Sequence, residues 1–136
     1  MKKRVLILCK HNAVRSQICE AVVNKEIEGW IAVSAGSEPL RPDPLVLQIL
    51  KDNGYGTEGL RSKHVDEVID GNFDLIITVC DEAESCVNLL NKVPKIRFPL
   101  QDPLAFNTNE ESQRKGLIGL LQEIRSELPK ILNESY

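Results

Sequence analysis

The sequence predicts a doubly wound α/β fold, and three observations predict it. Short apolar runs of strand length alternate with segments of helical spacing along the 136 residues. The clearest runs are apolar throughout, as strands buried on both faces of a parallel sheet require. The residues able to do chemistry, Cys9, Cys80 and those after Phe98, fall at the carboxyl ends of those runs. Open α/β sheets bind their ligands there.

Val5-Leu6-Ile7-Leu8 is the first run, ending at Cys9, and the polar loop Lys10-His11-Asn12-Ala13-Val14 follows. From Arg15 the spacing turns helical: Ile18, Val22, Val23 and Ile27 share one face, and the helix stops near Gly29. Trp30-Ile31-Ala32-Val33 reads as a second strand, closed by Ser34-Ala35-Gly36. Residues 39–44 form a proline-rich loop whose last proline, Pro44, suits the first turn of a helix. That helix carries Leu45, Leu47, Ile49 and Leu50 and ends near Asn53-Gly54. A short helical piece at 65–69 precedes the strand Leu75-Ile76-Ile77-Thr78-Val79. Residues 82–91 read as a short helix, and Lys95-Ile96-Arg97-Phe98 as the fourth strand. Thr108 and Glu111 form a capping box for a last helix bearing Leu117, Leu120, Leu121, Ile124, Leu128 and Ile131. Gly116 and Gly119 weaken it, and Pro129 is expected to kink it or end it early.

The length suits a single domain, residues 1–136, with a core of its own. A net charge of -3 argues against a nucleic-acid binder, so an anionic substrate needs a local positive site. No apolar run approaches the ~20 residues that cross a bilayer, and Val5 to Leu8 is too short for a signal peptide's apolar core. The expectation is a cytoplasmic protein without membrane association. Its cysteines, Cys9, Cys19, Cys80 and Cys86, are then more readily catalytic or metal-binding than structural disulfides. Cys80 and Cys86 stand too far apart for a structural zinc pair, so no metal is expected. Cys19, beside Ile18 and Val22, reads as core.

Cys9 and Arg15 stand six apart in C-K-H-N-A-V-R. The spacing alone is weak; its setting adds weight. A loop that leaves a buried strand and opens a helix can turn its N–H groups inward at the helix's positive end. A tetrahedral oxyanion suits such a nest, formed by Lys10, His11, Asn12, Ala13, Val14, Arg15 and Ser16, with Arg15 adding a two-toothed contact. The same field favours a Cys9 thiolate, Ser16 is placed to donate to the sulfur, and the Asn12 amide holds the loop in shape. His11 tunes the anion field. The plain alternative is a buried strand-end cysteine beside a surface arginine.

CKHNAVRSQ, then Ser34-Ala35-Gly36, then VCDEAESC, then Gln101-Asp102-Pro103 resembles the arsenate reductases built on the low-molecular-weight tyrosine phosphatase fold. The likeness runs in order over residues 4–103, and Gln17 is the reductases' choice where the phosphatases usually have proline. The resemblance implies a three-layer α/β/α domain with a four-stranded parallel sheet. It makes Asp102 the acid that protonates a departing oxygen. It also implies a relay in which Cys9 attacks arsenate, Cys80 attacks the adduct to release arsenite, and Cys86 forms Cys80–Cys86. A thioredoxin-like protein or a low-molecular-weight thiol would then reduce that disulfide, with no bound cofactor and a monomer as the working unit. Five residues separate Cys80 from Cys86, one fewer than usual in thioredoxin-coupled members, and Val87 stands where proline is usual. Some members hold potassium near the loop. Asn12, Glu20 and Ser34 match that site, but its aspartate falls near Lys63-His64, where a lysine ammonium can replace the ion.

Two other readings stay open. One is a phosphatase working through a phosphocysteine at Cys9, although Leu104-Ala105-Phe106 lacks the tyrosine pair those enzymes carry beside their acid. The other is a non-catalytic thiol or oxyanion sensor.

Overall fold

The computed structural model describes residues 2–81 and 92–135. Its sheet is built from β1 (Lys3–Cys9), β2 (Trp30–Gly36), β3 (Leu75–Thr78) and β4 (Lys95–Arg97), all parallel, in the order β2-β1-β3-β4. Helices α1 (Arg15–Glu26), α2 (Pro44–Asp52) and α5 (Glu110–Ser135), with the single turns α3 (Val65–Val68) and α4 (Pro103–Phe106), complete a three-layer α/β/α arrangement. The helix expected at 82–91, with Cys86 in it, lies outside the described residues.

β1 is an inner strand because its sequence leaves it no other place. Val5, Leu6, Ile7 and Leu8 have no exposed surface, and each contributes about 1.5–3 kcal/mol by leaving water. β2 pairs on one side of β1 and β3 on the other, so the connections leave in opposite directions at the β1/β3 boundary. The crevice at such a switch point is where this class of sheet holds ligands. Leu8 stands opposite Thr78, and Val79 N–H donates to the Leu8 carbonyl at 3.0 Å. Cys9 therefore ends one strand at the switch, and Cys80 follows the end of its neighbour by two residues.

β2 continues beyond the expected end at Val33: Ser34, Ala35 and Gly36 pair with Ile7, Leu8 and Cys9. Gly36 is required there. A Cβ on it would lie 2.5 Å from the Lys10 carbonyl oxygen and 2.8 Å from that of Cys9, so only glycine lets the loop after β1 fold across the end of β2.

α1 departs from a one-sided amphipathic helix. Ser16 through Val23 are all buried, polar and apolar alike, because the helix is covered by β1 and β2, by α2 and by α5. α5 corrects the expected cap and the expected early end. Its cap is Asn109 rather than Thr108: Asn109 Oδ1 accepts from Ser112 N–H at 2.8 Å, and asparagine outranks threonine in that role. Pro129 neither ends nor breaks the helix. It forfeits one backbone bond, while Leu128 and Leu132 on either side are fully buried and hold the helix to the core.

Candidate active site

The loop after β1 owes its shape to the partners of its carbonyl groups. Lys10 O accepts from Glu38 N–H at 2.8 Å, His11 O from Leu40 N–H at 2.9 Å and Ala13 O from Asp43 N–H at 3.1 Å. Asn12 O accepts from the Gln17 side-chain amide at 2.7 Å and from Ser62 Oγ at 2.7 Å. Four successive carbonyls thus face outward onto other segments, which leaves the loop's N–H groups to the inner side. Val14, before α1, has no side-chain acceptor, and the first turn of α1 has no acidic residue. The helix's first N–H groups and its positive end remain available to an anion.

The sulfur sits at the floor of this nest. Cys9 Sγ accepts from Asn12 N–H at 3.1 Å and lies 2.9 Å from Ser16 Oγ. Ser16 Oγ itself accepts from Asn12 Nδ2 at 2.8 Å, which leaves its own proton free to donate to the sulfur. Asn12 can serve both groups because it adopts a left-handed backbone, φ 51°, which asparagine tolerates better than most residues. Its Oδ1 accepts from Lys63 N–H at 2.9 Å.

Cys9, His11, Ala13, Val14, Arg15, Leu40, Asp43, Asp102 and Leu104 line a cavity of about 200 Å³. Arg15 Nη1 donates to the Leu100 carbonyl at 3.2 Å, tying the loop to the segment that leads to the acid. Asp102 opens α4, with Oδ1 accepting from Leu104 N–H at 2.9 Å. The structure thus brings Cys9, Arg15 and Asp102 to one cavity. Lys10 is turned away, its ammonium 3.4 Å from Glu38 at the surface. His11 Nδ1 lies 3.0 Å from the Glu38 carbonyl oxygen, which fixes a proton on Nδ1. Cys80 is buried where the chain bends after β3, and Cys86 lies outside the described residues. Cys19 is fully buried in α1; burial first, then the neighbouring Cys9 and Glu123, push its thiol well above the ordinary range.

Sequence reasoning missed Leu40 and Asp43, which form the rim, and the buttress behind the loop. Asp43 carried a signal, since an acid before Pro44 is a helix cap, and its Oδ1 does accept from Leu45 N–H. The buttress carried none. Gln17 is fully buried, and its Nε2 donates both to Asn12 O and, at 3.0 Å, to Arg61 O. Its Oε1 has no partner among the described residues, a cost of about 1–3 kcal/mol borne to keep two carbonyls in place.

The potassium site implied by resemblance does not fit these residues. Glu20 Oε1 accepts from Ser34 N–H at 2.7 Å and Ser34 Oγ at 2.8 Å, and Lys63 Nζ stands 3.6 Å from the same oxygen. Lys63 Nζ also donates to Arg61 O at 2.9 Å. Asn12 Oδ1 is already taken by Lys63 N–H. The side chains of Lys63 and Glu20 are only 8% and 10% exposed, so a second cation there would face an ammonium with little water to screen it.

Residues 4–133 match the family described as low molecular weight phosphotyrosine protein phosphatase. The chain is 32% identical over 120 residues to an arsenate reductase of Brevibacillus brevis, covering 87% of this chain and 90% of that one. The crystal structure of an arsenate reductase from Archaeoglobus fulgidus superposes with a TM-score of 0.71 at 34% identity, over 91% of this chain and 98% of that one. A thioredoxin-dependent arsenate reductase of Corynebacterium glutamicum superposes with a TM-score of 0.66 at 27% identity, over 99% of this chain and 64% of that one.

Proposed function

Because the chain belongs to the low molecular weight phosphotyrosine protein phosphatase family, we propose that it is the arsenate-reducing variant of that chemistry. The observation that carries the reading is the set of four outward carbonyls, which leaves the loop's amides to the inner side, where Asn12 N–H already donates to Cys9 Sγ. That side suits a tetrahedral anion, and the small cavity walled by Leu40 and Leu104 suits a free oxyanion better than a bulky ester.

Cys9 attacks arsenic as the thiolate, with Asn12 N–H and Ser16 Oγ as donors to the charged sulfur. An arsenate oxygen departs as water, taking its proton from Asp102. Arg15 and the amides hold the remaining oxygens. Cys80 then attacks Cys9 Sγ: a Cys9–Cys80 disulfide forms, the sulfur–arsenic pair of electrons stays on arsenic, and As(V) leaves as As(III) in arsenite. Cys86 attacks Cys80, freeing Cys9 and leaving Cys80–Cys86 for an external thioredoxin-like or small-thiol donor. The adjacency of the β1 and β3 ends supports the Cys9–Cys80 step; the Cys86 step rests on sequence. The chain works without potassium, as a monomer in the reducing cytoplasm. Among the described residues no helix is long and apolar enough to cross a membrane.

The family's name keeps a second reading in play, hydrolysis of aryl phosphates through a phosphocysteine at Cys9. Arsenate-dependent thiol consumption and aryl-phosphate hydrolysis, measured on serine replacements of each cysteine, separate the two. Cys9→Ser should abolish both, Cys80→Ser and Cys86→Ser should stop only arsenate turnover, and Cys19→Ser should change little. Robust phosphatase turnover with no arsenate reduction from thioredoxin or dithiothreitol would hand the case to the phosphatase.

A further inference from the structure

We propose that Gly116 is a positioning residue for Asp102: it opens the gap on α5 into which the Asp102–Pro103 turn seats. The inference rests on the assignment of Asp102 as proton donor made above. A helix interior is a worse place for glycine than for alanine, and α5 contains two. Their surroundings differ. A Cβ on Gly119 would meet nothing within 4 Å, whereas one on Gly116 would lie 2.6 Å from Pro103 Cβ and 3.1 Å from Asn107 Nδ2. Carbon atoms in contact settle at about 3.5–4.0 Å, so a methyl group at 116 drives the turn back by roughly 1 Å.

The turn cannot absorb that shift. Pro103 Cβ belongs to a rigid ring, Asp102 precedes it directly, and Asp102 Oδ1 is bonded to Leu104 N–H within the same turn. Asn107 Nδ2 donates to the Pro103 carbonyl, and Gln113 Nε2 of α5 donates to the Asn107 carbonyl at 3.1 Å, so turn and helix are locked in register. On the other side Arg15 holds Leu100 O. Asp102 hangs between these two anchors, and what moves Pro103 moves the carboxyl relative to Cys9. A reacting group misplaced by about 1 Å can lose about 10²-fold in rate. Gly116 keeps the acid in range at the expense of helix propensity.

The test compares arsenate reduction by Gly116→Ala, Gly119→Ala, Asp102→Asn and the Asp102→Asn, Gly116→Ala double variant, with inorganic phosphate as competitive inhibitor. Gly116→Ala should lower kcat by about 10- to 100-fold and leave the phosphate inhibition constant within about twofold, because the acid serves departure of water and not anion binding. Gly119→Ala should leave kcat unchanged, and Gly116→Ala should cost nothing further once Asp102 is Asn. If Gly116→Ala fails to fold, Pro103→Gly with and without Gly116→Ala makes the same comparison. Without the Pro103 Cβ the two should have equal kcat, and a further loss in the pair overturns the proposal. Full kcat in Asp102→Asn removes the acid assignment and the proposal with it. A slow Asp102→Asn beside a fast Gly116→Ala, or losses that simply multiply, overturns the positioning role alone.

Discussion

The proton of Ser16 is the smallest feature on which the chemistry turns. Asn12 Nδ2 already donates to the same oxygen, and an ionised Cys9 sulfur 2.9 Å away can only accept. A hydrogen bond to a charged group contributes about 1.5–3 kcal/mol, so Ser16→Ala should lower kcat for arsenate by about 10- to 100-fold in steady-state assays. An unchanged rate would mean the sulfur does not need this donor. Lys63 makes the second residue-level case. Lys63→Met leaves the Glu20 carboxylate buried without its charge partner, a loss of about 3–5 kcal/mol by denaturant titration. The unaltered protein should meanwhile show the same arsenate turnover in sodium and in potassium buffers. Cys9, Asn12, Arg15 and Ser16 were legible in the sequence because their geometry is made within one strand, loop and helix. Gln17 was not: its role depends on meeting Arg61 across a separation of 44 residues, and no local pattern announces such a meeting; Lys63 was placed beside Glu20 only through the family resemblance.

At the scale of elements, strands were read from continuous apolar runs and α1 from its spacing, both properties of short windows. α4 escaped because four residues have no period to detect; only the acid-proline pair at its start marks it. The α5 cap was misassigned within Asn107-Thr108-Asn109-Glu110, where several candidates stand side by side and the winner is decided by where the helix packs. Asn109→Ala should therefore cost about 1 kcal/mol of stability, and Thr108→Ala no more than a few tenths. Equal losses in chemical denaturation would restore the threonine cap. α1 shows why propensity and pattern go only part of the way. Its polar residues Ser16, Gln17 and Glu20 are buried because each is bonded to the loop or to its support, and the helix doubles as part of the site.

For the molecule as a whole, anion binding and folding are linked. A ligand held by the folded loop alone adds RT ln(1 + [L]/Kd), about 2.7 kcal/mol at a hundredfold excess over Kd. Inorganic phosphate at that excess should raise Tm by on the order of 10 °C in a domain of this size. Arg15→Ala should lose most of the gain, and an equal shift in both proteins would place the anion elsewhere. The tethers of the loop have one more consequence, in time rather than in space. Cys9 precedes every partner its cradle needs, Glu38, Leu40, Asp43, Ser62, Lys63 and Leu100. The nascent chain therefore carries an unremarkable thiol until Leu100 has been made and folded back onto Arg15.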